Sequence, residues 1–215
     1  MDDIAIRDPR PGDAEEVEAL ITAHFSEGQS YGVDLGFDDP TYHVLVATEA
    51  DATGGGDGSG GGDSTGGGDT PAGADAQARD AGEILGVMAL RECESPTAVA
   101  EEMYFFDDPA LLPEASRYGH LEMGYVRDGA TGRGIGSRLL ERLHAIGAER
   151  GVDLFVADSW YHGGADSPKK LFDRHGYETI HREPIERPAA ECPKCERECT
   201  CEGALVVRRR AGGEE

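Results

Sequence analysis

Among its 20 basic residues the 215-residue chain holds only three lysines, Lys169, Lys170 and Lys194, and it has a single tryptophan. It also lacks any long apolar run. The longest candidate, Ile84 to Leu90, falls well short of the roughly 20 residues that a membrane-spanning helix needs. The N-terminus, MDDIAIRD, has neither the basic segment nor the apolar segment of a secretory signal. These absences predict a soluble cytoplasmic protein. Positive charge is scarce too: 20 basic residues face 43 acidic ones, for a formal net charge of −23. Such a surface repels phosphate backbones and anionic lipid, so no nucleic acid and no membrane are expected as partners. Strong acidity with arginine in place of lysine predicts a halophilic protein, one whose self-repulsion is screened by concentrated salt.

Glycine, by contrast, is plentiful, and much of it lies in one segment, 51–82. There GGGD occurs three times at a six-residue period, at Gly54 to Asp57, Gly60 to Asp63 and Gly66 to Asp69. Aspartates at a fixed period are also a feature of calcium-binding β-rolls, but those need an apolar residue in each turn to build a core, and here there is none. The segment reads as a disordered, solvated insert in a β-hairpin, since Tyr42 to Thr48 and Glu83 to Arg91 on either side are β-rich. The length suits a single domain over residues 1–210 that carries this insert.

Elsewhere the periodicity is regular. Ile4 and Ile6 alternate with polar residues as a first strand would, and Val17, Leu20 and Ile21 recur at helical spacing from about Ala14 to Ser26, with Asp13 and Glu16 as a capping-box start. Gln29 to Pro40 and Glu92 to Tyr118 are irregular, the second with room for one helical turn. Leu121, Met123 and Tyr125 mark a strand, and Leu139, Leu140, Leu143 and Ile146 mark one face of a helix that begins at Ser137 and stops at Gly151. Val152 to Ala157 is a buried strand, Pro168 to His175 a short helix, and Tyr177 to His181 and Ala204 to Arg208 are two further strands.

Between the strand that ends at Tyr125 and the helix at Ser137 runs VRDGATGRGIG, Val126 to Gly136. A strand, a loop containing Gly132, Gly134 and Gly136, and an immediate helix start leave several backbone N–H groups unpaired and pointing one way. Such amides, aided by the positive end of the helix dipole, suit a pyrophosphate. The segment resembles the acyl-CoA-binding motif of the GNAT superfamily of N-acetyltransferases, in which Gln or Arg, two residues, Gly, one residue and Gly or Ala follow in order. Thr131, Gly134 and Gly136 occupy those places, so the glycines fit and the first position departs. Thr131 is left to offer its backbone N–H, and Arg133 is the basic residue between the glycines.

The resemblance implies an α/β fold with a mixed, splayed β-sheet flanked by helices, and an acetyl-CoA-dependent acyltransferase that acts on an amine acceptor, as a monomer or homodimer. It implies that Thr131, Gly132, Arg133, Gly134, Ile135, Gly136 and Ser137 hold the cosubstrate, with backbone N–H groups near Tyr125 and Val126 facing the thioester oxygen. It also implies that Tyr31 and Phe37 help to line the acceptor pocket. On the strand before the loop, His120, Glu122 and Gly124 share a face by alternation, which makes Glu122 and His120 the candidate bases for the amine proton. The family's segment resembling F-Y-E-K-L-G-F is LFDRHGY here, Leu171 to Tyr177, with Phe172 where a tyrosine acid is usual. Tyr161, Ser167 or His175 stands as a substitute, or the thiolate leaves without help. Asp158, Trp160, Tyr161 and His162 follow the next strand and are expected near the place where the two substrates meet.

Four of the five cysteines, Cys192, Cys195, Cys199 and Cys201, fall within the ten residues 192–201. Soft thiolates this close point to a Cys-rich knuckle around one Zn²⁺, with Cu⁺ or a redox dithiol left open by the tight Cys199 to Cys201 spacing. Cys93 stands alone and is expected to be buried. A second reading follows from these cysteines and from the departures at Thr131 and Phe172: a metal- or redox-responsive binding protein on an acetyltransferase-like fold.

Overall fold

The computed structural model describes residues 4–25, 34–49, 82–164, 167–185, 192, 195 and 198–210. Seven strands form one sheet in the order β1-β2-β3-β4-β5-β7-β6. They are β1 (Ile4–Arg7), β2 (Tyr42–Glu49), β3 (Ile84–Cys93), β4 (Tyr118–Val126), β5 (Leu154–Tyr161), β6 (Glu178–Pro184) and β7 (Glu202–Arg209). Every neighbouring pair is antiparallel except β4 and β5, which run parallel. Among the described residues four helices cover the sheet: α1 (Ala14–Phe25), α2 (Pro96–Glu102), α3 (Ile135–Glu149) and α4 (Lys169–Arg174). The expected mixed, splayed α/β sheet flanked by helices is therefore what the chain forms. The β2–β3 pairing sets residues 51–82 between hairpin strands, but all of that segment except Gly82 lies outside the described residues.

The apolar stripe read on α3 is its buried face. Leu139, Leu140 and Leu143 are fully buried against Leu45, Leu85, Met88, Leu90, Leu121 and Phe155, with Ile146 packed beside them. Burying each leucine contributes about 1.5–3 kcal/mol. Gly147 lets the helix lie close to the sheet, since a Cβ there would fall 2.6 Å from the Phe155 ring. On the opposite face Val17, Leu20 and Ile21 of α1 cover Val44, Val46, Val87 and Ala89. Farther along that face, Val99 of α2 packs with Tyr118, Leu154, Val156 and Leu205.

Three local expectations change. Asp13 ends a 3₁₀ turn (Pro11–Asp13) rather than opening a capping box with Glu16: its carboxylate accepts from Arg10 N–H at 2.6 Å and from Arg7. Burial opposes that charge, but Arg7 and Arg10 outweigh it and hold the Asp13 pKa below the usual value. Glu16 instead accepts from Ile84 N–H at 2.8 Å and from Arg127 at 3.1 Å, which ties α1 to β3 and to the end of β4. The irregular stretch after β3 contains a seven-residue helix, α2, capped where the Ser95 hydroxyl accepts from Ala98 N–H at 3.1 Å. Ser-Pro at the cap and first helical position is the signal for it.

Candidate active site

The parallel pairing of β4 with β5 lasts for three residues, Tyr118↔Leu154, Gly119↔Phe155 and His120↔Val156. Past that point β4 stays with β3 as far as Val126↔Gly86, and β5 stays with β7 as far as Tyr161↔Glu202. The sheet therefore opens as a fork between the C-terminal halves of its central strands. On β4 the ladder with β3 steps from Ala89↔Met123 to Leu90↔Leu121, leaving Glu122 as the extra residue of a β-bulge. A bulge bends and twists its strand, and here it bends β4 where the fork begins.

The bulge also resets which side chains share a face. His120 and Glu122 lie on the α1/α2 face, as alternation predicts, but Gly124 does not join them. Met123 and Tyr125 pack with the α1 cluster, whereas a Cβ on Gly124 would meet Met88 of the α3 cluster. The backbone is phased in the same way. Arg127 N–H donates to Leu85 C=O at 2.9 Å across β3, so alternation turns the Tyr125 amide toward β3 and the amides of Gly124 and Val126 toward the fork.

Glu122 is paired with Arg91, whose guanidinium also reaches Asp39 at 3.0 Å and lies 4.3 Å over the Tyr42 ring. Burial opposes the Arg91 charge, but Glu122 outweighs it and raises the Arg91 pKa. Burial and the adjacent Glu122 raise the Tyr42 phenol, and the same two causes push the buried Cys93 thiol up to about 11. Glu122 keeps some exposure, 17% of its side chain, whereas His120 is sealed at 1%. Neither ring nitrogen of His120 hydrogen-bonds among the described residues. Its Nε2 lies 3.6 Å from the Asp158 carboxylate on β5, across the fork. Asp158 in turn accepts from Tyr104 N–H at 2.5 Å and Phe105 N–H at 2.7 Å, so the segment after α2 is fastened to the fork. The sequence placed Asp158 near the site but held no sign of its pairing with His120, which depends on strand register.

After β4 a 3₁₀ turn (Asp128–Ala130) leads to Gly132 and Gly134, both with φ near +80°. Gly134 is the N-cap of α3, which begins at Ile135, two residues before the expected Ser137. Its first backbone bond runs from Arg138 N–H to Gly134 C=O, so the N–H groups of Ile135, Gly136 and Ser137 have no helical acceptor, and no side chain caps them. Nothing lies within 4 Å of a Cβ at Gly132 or Gly134. Open amides without side-chain cover fit a pyrophosphate. Thr131 contributes less than expected, because its N–H and its hydroxyl both bond the Asp128 carbonyl, at 3.3 and 2.9 Å. Arg133 lies 3.6 Å from Glu49.

Of the candidate acids, Phe172 is core, edge to face with Tyr177 at 4.9 Å. Tyr161 is buried at the end of β5, and burial raises its phenol. The Ser167 hydroxyl accepts from His162 N–H at 3.4 Å. His175 is drawn away into a cleft beside Glu141, His144, Arg174 and Arg208 on the outer side of α3 and α4. Phe37 is exposed, and Tyr31 lies outside the described residues. The four thiols of Cys192, Cys195, Cys199 and Cys201 converge, with their sulfurs within 4.8 Å of one another, at the end of β7 beside Trp160 of β5.

The sequence profile of the acetyltransferase (GNAT) family matches residues 68–177, about half of the chain and the part that carries β3, β4, the glycine loop, α3, β5 and α4. The chain belongs to the GNAT acetyltransferase family. No curated protein matches it. Solved structures similar to this GNAT protein include a GCN5-related N-acetyltransferase from Kribbella flavida (14% identity, 96% of this chain and 98% of that one, TM-score 0.56). They also include NAA60 of Arabidopsis thaliana in complex with a bisubstrate analogue (14%, 97% and 99%, 0.58). A third is an aminoglycoside 6'-N-acetyltransferase complexed with coenzyme A (12%, 96% and 96%, 0.51). At such identities the likeness is one of fold.

Proposed function

We propose that this GNAT protein is an acetyl-CoA-dependent N-acetyltransferase whose acceptor is an amine of a small molecule or protein. The observation that carries this reading is the juxtaposition of the β4–β5 fork with the uncapped start of α3. Bound acetyl-CoA supplies an activated acyl carbon and a thiolate leaving group. The N–H groups of Ile135, Gly136 and Ser137 hold the pyrophosphate, with Gly132 and Gly134 keeping the approach clear. The amide of Val126, turned into the fork, faces the thioester oxygen and stabilises the charge that develops there. As the acceptor nitrogen bonds to the acyl carbon, Glu122 takes the proton that the amine sheds, because of the two candidate bases it is the one an incoming group can touch. His120, sealed against Asp158, is a positioning residue that fixes the two arms of the fork. With Phe172 in place of a hydroxyl acid, the C–S bond breaks to leave the thiolate. The metal- or redox-sensing alternative is not favoured, because the family match spans the strand–loop–helix unit that this chemistry needs.

Calorimetric titration with acetyl-CoA, followed by a free-thiol release screen over amines, tests the assignment. Glu122→Gln is expected to lower kcat by about 10²–10⁴ while acetyl-CoA affinity is retained. His120→Ala is expected to lower the melting temperature and leave the shape of the pH–rate profile intact. Wild-type turnover in Glu122→Gln would move the base elsewhere.

A further inference from the structure

We propose that Cys192, Cys195, Cys199 and Cys201 hold one zinc ion in a closed tetrahedral site, which clamps the β6–β7 connection to the fork-side end of β5. Each cysteine offers one sulfur, and all four sulfurs lie within 4.8 Å of one another. Cys201 Sγ is 3.7 Å from Cys192 Sγ and 3.6 Å from Cys195 Sγ. A tetrahedron of thiolates at a Zn–S distance of about 2.3 Å has edges of about 3.8 Å, so these separations are close to those of a filled shell. They are far from a disulfide's bond length of about 2.05 Å, and all four cysteines are free thiols. A purely apolar role would not gather four sulfurs into contact while leaving Cys195 and Cys199 partly exposed.

The surroundings suit a metal as well. Cys201 directly precedes β7, and its carbonyl accepts from Ile185 N–H at 3.0 Å, so the connection leaves β6 and rejoins the sheet at one point. The Trp160 side chain of β5 lies beside Cys201, so the cluster is packed against the sheet, the kind of outer contact that orients a ligand. Four protein ligands complete the shell, so no position is left for substrate or activated water, and the ion serves stability.

Elemental analysis of protein purified without added metal is expected to find about one zinc per chain, with Cys192, Cys195, Cys199 and Cys201 shielded from a thiol reagent until a strong chelator is added. Exchange with Co²⁺ is expected to produce the thiolate-to-metal absorption of a tetrahedral sulfur site. Chelation and Cys201→Ser should each lower the melting temperature, and if Cys201→Ser does not fold, the cobalt spectrum of the native protein still decides. Absence of metal with all four thiols freely titratable would overturn the site, as would disulfides among them or a different metal in native protein. Acetyl-CoA titration of the same samples reports separately on the transferase reading.

Discussion

Gly134 shows how one residue controls the cosubstrate site. Its φ of +80° is a backbone state that a β-branched side chain resists, yet space around it is open. Gly134→Val is therefore expected to distort the amide cradle without disturbing the core, abolishing acetyl-CoA binding in calorimetry while the fold persists. Unchanged affinity in a folded variant would remove the loop from the site. His144 is a second decisive residue, though not for chemistry. It is buried, with Nε2 2.7 Å from the Tyr177 hydroxyl and Nδ1 facing Arg208. Burial, then the Arg208 charge, lowers its pKa from 6.5 to about 3. Between those values the unfolded chain binds a proton that the folded chain refuses, so this residue's contribution is intact above pH 6.5 and lost as pH falls toward 3. The slope is at most about 1.4 kcal/mol per pH unit. Denaturant titrations across that window should show a shallower acid limb in His144→Gln, and identical limbs would contradict the neutral buried imidazole.

The elements owe their positions to features of different range. α3 was legible because Leu139, Leu140, Leu143 and Ile146 fall on one side over consecutive turns, and the strand before it because apolar residues alternate. The bulge at Glu122 was not legible, since it exists only in the register between β3 and β4. It moved Gly124 off the expected face and turned the Val126 amide, rather than that of Tyr125, into the fork. The sequence motif offers a Thr131 N–H that the 3₁₀ turn consumes. The β2–β3 hairpin offers a test at this scale. Thr48 pairs with Ile84, and residues 50–82 contain no Val, Ile, Leu, Met or aromatic side chain with which to pack. Joining Glu49 to Glu83 through a short turn is expected to leave the melting temperature and acetyl transfer nearly unchanged, and a large loss of either would show that the segment docks on the domain.

Across the whole molecule, a formal charge of −23 works against a compact state unless it is screened. We expect the melting temperature to rise steadily from low salt to molar KCl, where the Debye length falls to about 3 Å. A flat response would remove the high-salt reading. Among the described residues no helix is long and apolar enough to cross a membrane. Local pattern alone determined the helix and strand periods, the glycine loop at a helix start and the clustering of four cysteines, because each of these is a relation between residues a few positions apart. Tertiary structure decided the rest: that β4 and β5 part after three residues, that Glu122 meets Arg91, that His120 faces Asp158, and that Trp160 reaches Cys201. Those contacts join segments tens of residues apart, and they depend on strand register and close packing, which the sequence pattern of either segment does not contain.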